Sequence, residues 1–135
     1  PLDKLLIDPP REGAIAVVDA HYHTDHDQAR VYGTAYAWQG GRRTEQVVTL
    51  DKRDDTRYNV RRSWPLGEPR VLVLGVEQGD HGEHGVAEAL VRVDAQGRVT
   101  AVDLALTKPI VGAPQPRRVN AREIEDALLA SRAEE

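Results

Sequence analysis

Residues 70–78 read RVLVLGVEQ, and this stretch decides the fold class of the chain. Valine and leucine occupy consecutive positions from Val71 to Leu74 instead of alternating with polar residues. A half-exposed strand would alternate, so a continuous apolar run of this length is typical of a strand that is buried on both faces. We therefore expect this run to be the central strand of a β-sheet.

Six further strand-like runs surround it at nearly even spacing, separated by turn-forming residues. Gly40–Gly41 predicts a tight hairpin, and 94–97 predicts a second turn with Gly97 in the left-handed conformation. Even spacing without interleaved helices predicts a seven-stranded antiparallel sandwich over residues 14–106. The six runs are 14–23, 29–39, 43–51, 56–64, 86–94 and 98–106.

Both ends of the chain differ from this pattern. Residues 1–13 contain three prolines and predict an arm that is neither strand nor helix, and residues 107–119 predict a proline-rich connector. Residues 120–135 predict a helix, because Asn120 and Glu123 have the spacing of a capping box and Val119 with Ile124 that of a hydrophobic staple. Ile124 and Leu128 share one face, through which we expect the helix to dock.

Composition excludes several classes of function. The chain has 135 residues, 40% of them hydrophobic and 30% charged, which fits one globular domain without a membrane-spanning segment. It has no Phe, Met or Cys, so disulfides and thiolate chemistry are excluded, and Trp38 and Trp64 are expected to be core rings. A net charge of −4 without a basic stripe argues against nucleic-acid binding.

All five histidines fall in two short stretches, HYHTDH at 21–26 and HGEH at 81–84. Strand alternation puts Asp19, His21 and His23 on one face, where they could converge on one ion. Imidazole and carboxylate together suit Zn or Cu(II). The candidate metal ligands are His21, His23, His26, His81, His84 and Asp19.

Strand alternation also brings three connections to one end of the expected sandwich: 24–28, 51–55 and 79–85. We name this end the histidine rim. The competing interpretation is that these are ordinary loop residues, since His and Asp are common in polar turns. Five carboxylates near this end could supply an acid–base pair for catalysis. The competing interpretation for each is a solvated or turn-capping role. They are Asp25, Asp27, Glu77, Asp80 and Glu83.

The stretch 57–73, RYNVRRSWPLGEPRVLV, resembles a phrase of exported bacterial immunoglobulin-like domains. In those domains a tyrosine-bearing strand, a proline–glycine turn and an apolar strand follow one another. The stretch is also similar to small periplasmic sandwiches, some of which handle copper, and to transthyretin-like accessory domains. The resemblance implies an immunoglobulin-like sandwich in the periplasm or the medium, and methionine-based copper(I) sites cannot exist here because the chain has no Met.

Three functions follow from these observations. The first is a non-enzymatic exported binding or accessory domain with a divalent metal at the histidine rim, its partner being another protein. The second is a metal-dependent or carboxylate-based hydrolase that uses the same rim. The third is a purely structural or protein-interaction sandwich. The lack of an initiator Met agrees with a removed leader, which we expect for an exported chain.

Overall fold

The computed structural model describes residues 2–8, 14–22, 29–79 and 85–133. Within these ranges the chain forms nine strands and one helix, and the strands make two antiparallel sheets that pack face to face around one apolar core. The elements are β1 Leu2–Asp8, β2 Ala16–Tyr22, β3 Ala29–Gln39, β4 Arg42–Val47, β5 Thr49–Lys52, β6 Arg57–Arg61, β7 Arg70–Gln78, β8 Val86–Val93, β9 Val99–Leu104 and α1 Ala121–Ala133.

The strand order is β1-β2-β6-β5 in the smaller sheet and β4-β3-β7-β8-β9 in the larger one. The predicted central strand, β7, is confirmed: it lies in the middle of the larger sheet and all its residues are buried. Leu72, Leu74 and Val76 face the core between the sheets, while Val71 and Val73 face the opposite side and pack on the helix. The consecutive apolar residues therefore serve two separate packing interfaces.

Two sequence predictions about the strands are wrong. The first thirteen residues include a strand, because β1 pairs antiparallel with β2 and buries Leu5 against the core. The prolines at 9 and 10 led to the prediction of an arm, but they follow β1 rather than interrupt it.

The run 43–51 is also two strands instead of one. β4 belongs to the larger sheet and β5 to the smaller one. Val48 lies between them, buried, and its N–H donates to the Gly33 carbonyl at 2.9 Å. The chain therefore passes from one sheet to the other at a single core residue. This division and the additional strand β1 together raise the strand count from seven to nine among the described residues.

The predicted turns are confirmed. Gly40 and Gly41 have φ values of 59° and 76°, which matches the hairpin turn between β3 and β4. Gly97 has a φ of 81° in the turn between β8 and β9. Of the two tryptophans, Trp64 is 3% exposed and belongs to the core, as predicted. Trp38 is 38% exposed, so the prediction of a core ring is wrong there, and its ring lies beside the Arg132 guanidinium instead.

The helix starts as the sequence predicts. Asn120 Oδ1 accepts the Glu123 N–H at 2.9 Å, and Glu123 Oε1 accepts the Asn120 N–H at 3.0 Å. Ile124 and Leu128 are buried against Val71 and Val73, so α1 docks on the outer face of the larger sheet. Among the described residues, no helix has the length and apolar character needed to cross a membrane.

Candidate functional site

The structure describes only part of the predicted histidine site. Asp19 lies half-buried in β2, opposite Leu6 of β1 and Arg57 of β6. His21 belongs to the same strand, where its backbone pairs with Lys4. His23, His26, His81 and His84 lie outside the described residues, as do Asp25, Asp27, Asp80 and Glu83. Among the residues that are described, no group of three or more His, Asp or Glu side chains could hold a metal.

The strand ends beside the histidine stretches are described, and they are neighbours. β3 begins at Ala29, which pairs with Gln78 at the end of β7. The Gln78 N–H donates to the Gly85 carbonyl at 2.9 Å, so the start of β8 lies at this end as well. In the smaller sheet, the Ala20 N–H donates to the Thr56 carbonyl at 2.8 Å, which brings the β5–β6 turn beside the end of β2.

A second group of titratable side chains lies on the outer face of the larger sheet, next to the helix start. We call it the Glu77–Glu88 cluster, and its members are Arg30, Tyr32, Glu77, Glu88 and Arg118. Alternation along β7 puts Gly75 and Glu77 on the same face as Val71 and Val73. Pairing then places Tyr32 and Glu88 on either side of Gly75, and Arg30 opposite Glu77.

Every carboxylate oxygen of this cluster has a donor. Glu77 Oε1 accepts from Arg30 Nε at 2.8 Å, and Glu77 Oε2 accepts from Arg118 Nη2 at 2.9 Å. Glu88 Oε1 accepts the Val119 N–H at 2.7 Å, and Glu88 Oε2 accepts the Tyr32 hydroxyl. The two acids thus join β3, β7 and β8 to the segment that leads into α1.

The electrostatics follow from these contacts. The guanidinium groups of Arg118 and Arg30 donate to Glu77 and hold the pKa of that carboxyl below its usual range. Burial raises the pKa of the Tyr32 hydroxyl, and its hydrogen bond to Glu88 raises it further. A carboxylate held in its charged form by two guanidinium groups is a poor general base. The cluster is therefore suited to fastening the C-terminal segment to the sheet.

Sequence reasoning considered Glu77 only as half of an acid–base pair, and it missed Arg30, Tyr32, Glu88 and Arg118. One signal was available. Glu77 and Glu88 stand in strands that are largely apolar, and a buried acid needs a cationic or hydrogen-bonding partner. The identity of that partner could not be read, because Arg118 is distant in sequence from both acids.

A cleft of about 430 Å³ opens near the other end of β7, between the β8–β9 turn and the helix. Arg92 Nε donates to Ser131 Oγ at 3.3 Å in its wall. The Asp94 carboxylate accepts the N–H groups of Gln96 and Arg98, both at 2.9 Å, and so holds the turn. These polar groups serve the fold itself, and none of the predicted ligands is among the residues that line the cleft.

Comparison of the chain with models of known protein families, with curated proteins and with solved structures gives no match.

Proposed function

We propose that this chain is a non-enzymatic binding domain of the immunoglobulin-like class that takes up Zn or Cu(II) at its histidine rim. The observation that carries the proposal is the pairing of Ala29 with Gln78. All five histidines of the chain lie in the two stretches that adjoin this pair of strand ends and the end of β2. Imidazole groups gathered at one end of a rigid scaffold suit a borderline metal ion.

Strand order supports the immunoglobulin-like part of the proposal. In immunoglobulin domains, strands A, B, E and D form one sheet and C, F and G the other. If β1, β2 and β3 correspond to A, B and C, then β5, β6, β7 and β8 correspond to D, E, F and G. The observed orders β1-β2-β6-β5 and β3-β7-β8 agree with this, with β4 and β9 added at the edges of the second sheet.

The same correspondence gives the histidine stretches a role. The β2–β3 and β7–β8 connections become the B–C and F–G loops, two of the loops that bind ligands in variable domains. The position of these loops does not identify the ligand, which depends on the side chains that the loops carry. The proposal also includes export to the periplasm or the medium, which rests on the resemblance of residues 57–73 to exported domains.

The test is calorimetric titration of the purified chain, without a histidine tag, with Zn²⁺ and with Cu²⁺. His21→Ala and His81→Ala belong to different stretches, so a shared site requires each change to weaken binding at least tenfold, or about 1.4 kcal/mol. Affinity should also fall as the pH drops through about 6.5, because protonated imidazole cannot bind a metal. Glu45→Ala, an exposed change on β4, is the matched control and should bind as the native chain does.

Two results would contradict the proposal. One is the lack of binding of either metal below about 100 µM, a concentration that allows even a weak specific site to fill. The other is a loss of metal affinity in only one of the two histidine variants.

If a metal binds, X-ray absorption of the loaded protein distinguishes metal carriage from catalysis. A closed site with four protein ligands favours carriage, and three protein ligands with an open position favour an enzyme.

A further inference from the structure

The four edge strands of the two sheets differ in charge. Three of them, β1, β4 and β5, each carry two or more charged residues. These are Asp3, Lys4 and Asp8 in β1, Arg42, Arg43 and Glu45 in β4, and Asp51 and Lys52 in β5. Charged side chains on an edge strand discourage pairing with another chain. β9 reads VTAVDL and has a single charge, at Asp103. Its unpaired edge is therefore the least protected of the four.

Exposed apolar side chains concentrate at the same place. Of ten large hydrophobic residues that are exposed among the described ones, five lie between 102 and 111: Val102, Leu104, Leu106, Ile110 and Val111. Val102 is 44% exposed and Leu104 is 40% exposed. Apolar residues scattered singly over a surface need no explanation, whereas neighbouring ones on one face are typical of an interaction site, and Val102 and Leu104 share one face of β9.

The fold explains why Val102 and Leu104 are uncovered. They pair with Val91 and Ala89, which are core residues, so they lie on the face that looks toward the smaller sheet. The edge strand of that sheet, β1, packs against β7 and β8. β9 thus extends beyond the opposing layer and presents an apolar face together with an open backbone edge.

The length of the open edge is also defined. Beyond β9 the edge is occupied, since the Arg117 N–H donates to the Ala105 carbonyl at 3.1 Å and Leu106 pairs with Pro116. Within the part of the chain that the structure describes, no strand pairs with the outer edge of Val99–Leu104, and we call this the open stretch. A second copy of this chain has the same open stretch. If the two copies are related by a twofold axis beside Val102, each Val102 lies opposite its copy. Ala101 then lies opposite Asp103, and Thr100 lies opposite Leu104. No like charges are directly opposed in this register, and Leu104 of each chain is diagonal to Val102 of the other.

We infer that β9 pairs antiparallel with β9 of a second copy of this chain, centred on Val102, so that the two five-stranded sheets become one. The inference rests on strand pairing and does not depend on metal binding at the histidine rim. It is tested in the presence of a chelator, so that a metal-linked dimer cannot imitate it.

The first measurement is the mass in solution by sedimentation equilibrium, up to about 200 µM, where a dimer of moderate affinity forms. The native chain should be dimeric, and Val102→Lys should weaken the dimer at least tenfold while leaving the circular dichroism and the melting temperature of the protomer unchanged. Val47→Lys is the matched control. It changes a valine that is 80% exposed on the edge strand β4, and it should leave the dimer intact.

The second measurement uses the lack of cysteine in the chain. Opposed residues of antiparallel strands have Cα atoms about 4.5–5.5 Å apart, inside the range a disulfide can span. Val102→Cys should therefore form a cross-linked dimer on mild oxidation, far faster than Val47→Cys. A monomeric native chain at 200 µM, a dimer that Val102→Lys leaves unchanged, or equal cross-linking of the two cysteine variants would each overturn the inference.

Discussion

Gly75 lies in the middle of β7 in ordinary strand geometry, so the need for glycine there is one of space. A Cβ atom at this position would lie 2.6 Å from Tyr32 Cζ and 2.9 Å from Glu88 Cγ. Such distances are far below van der Waals contact. The missing side chain lets the Tyr32 ring cross over β7 and donate its hydroxyl to Glu88 on the neighbouring strand. One glycine thereby permits the Glu77–Glu88 cluster to form.

We predict that Gly75→Ala destabilises the protein by about 1–3 kcal/mol, the usual cost of overpacking a filled site. Urea unfolding monitored by circular dichroism measures this cost. The matched background is Tyr32→Ala, which removes the ring that the new methyl group would meet. There Gly75→Ala should cost much less, and an equal cost in both backgrounds would show that Tyr32 is not what constrains position 75.

At the scale of elements, the sequence predicts β3 and β7 to the residue, because periodicity and flanking turn residues agree there. It fails where tertiary contacts decide. Leu5 and Leu6 are adjacent and alike, and only pairing with β2 determines that one is buried and the other exposed. Likewise Val47 and Val48 look like one strand, although the chain changes sheets at Val48 because that side chain fills a core position.

The candidate sites divide in the same way. The histidine stretches are visible in the sequence because like residues are close together along the chain. The Glu77–Glu88 cluster is invisible because its members come from three strands and the connector, and only the fold brings Arg118 to Glu77. A group of like residues that are close in sequence can therefore be recognised from the sequence, whereas a hydrogen-bonded cluster assembled from distant segments can be recognised only in the structure.

The helix is the element whose start the sequence predicts most fully. We expect Asn120→Ala to cost about 1 kcal/mol, since the Glu123 N–H loses its acceptor. Thermal unfolding followed by circular dichroism at 222 nm measures this loss of stability. Asn120→Asp keeps an acceptor at the cap and should cost little. If both variants melt alike, the capping hydrogen bond does not contribute to stability.

At the scale of the whole molecule, charged contacts join the C-terminal segment to the sandwich and to the helix. Arg118 binds Glu77 of β7, and Arg117 binds Glu123 of α1 at 2.7 Å. Donation by Arg117 holds the pKa of Glu123 below its usual range, as donation by Arg118 does for Glu77. Both acids therefore link the packing of α1 to pH.

The sign of this linkage follows from the direction of the shifts. In the unfolded chain a glutamate titrates near pH 4.3, and in the folded protein these two titrate lower. The unfolded state then binds more protons in acid, so stability falls as the pH decreases. The contribution of each acid is complete above the unfolded pKa and is lost as the pH falls through the folded pKa.

Glu77→Gln isolates one of these contributions from every other titrating group, including the histidines. At pH 7 the variant should be less stable than the native chain, because Arg118 and Arg30 lose a charged acceptor. Urea unfolding at pH 7, 5, 4 and 3 should show the stability difference between the two proteins narrowing below about pH 4.5, where Glu77 of the unfolded native chain begins to bind a proton while the folded carboxylate stays charged. Glu45→Gln, at an exposed position of β4, is the control and should give a curve parallel to that of the native chain at every pH. A difference for Glu77→Gln that stays constant down to pH 3 would mean that the charge of Glu77 contributes nothing to the attachment of the C-terminal segment.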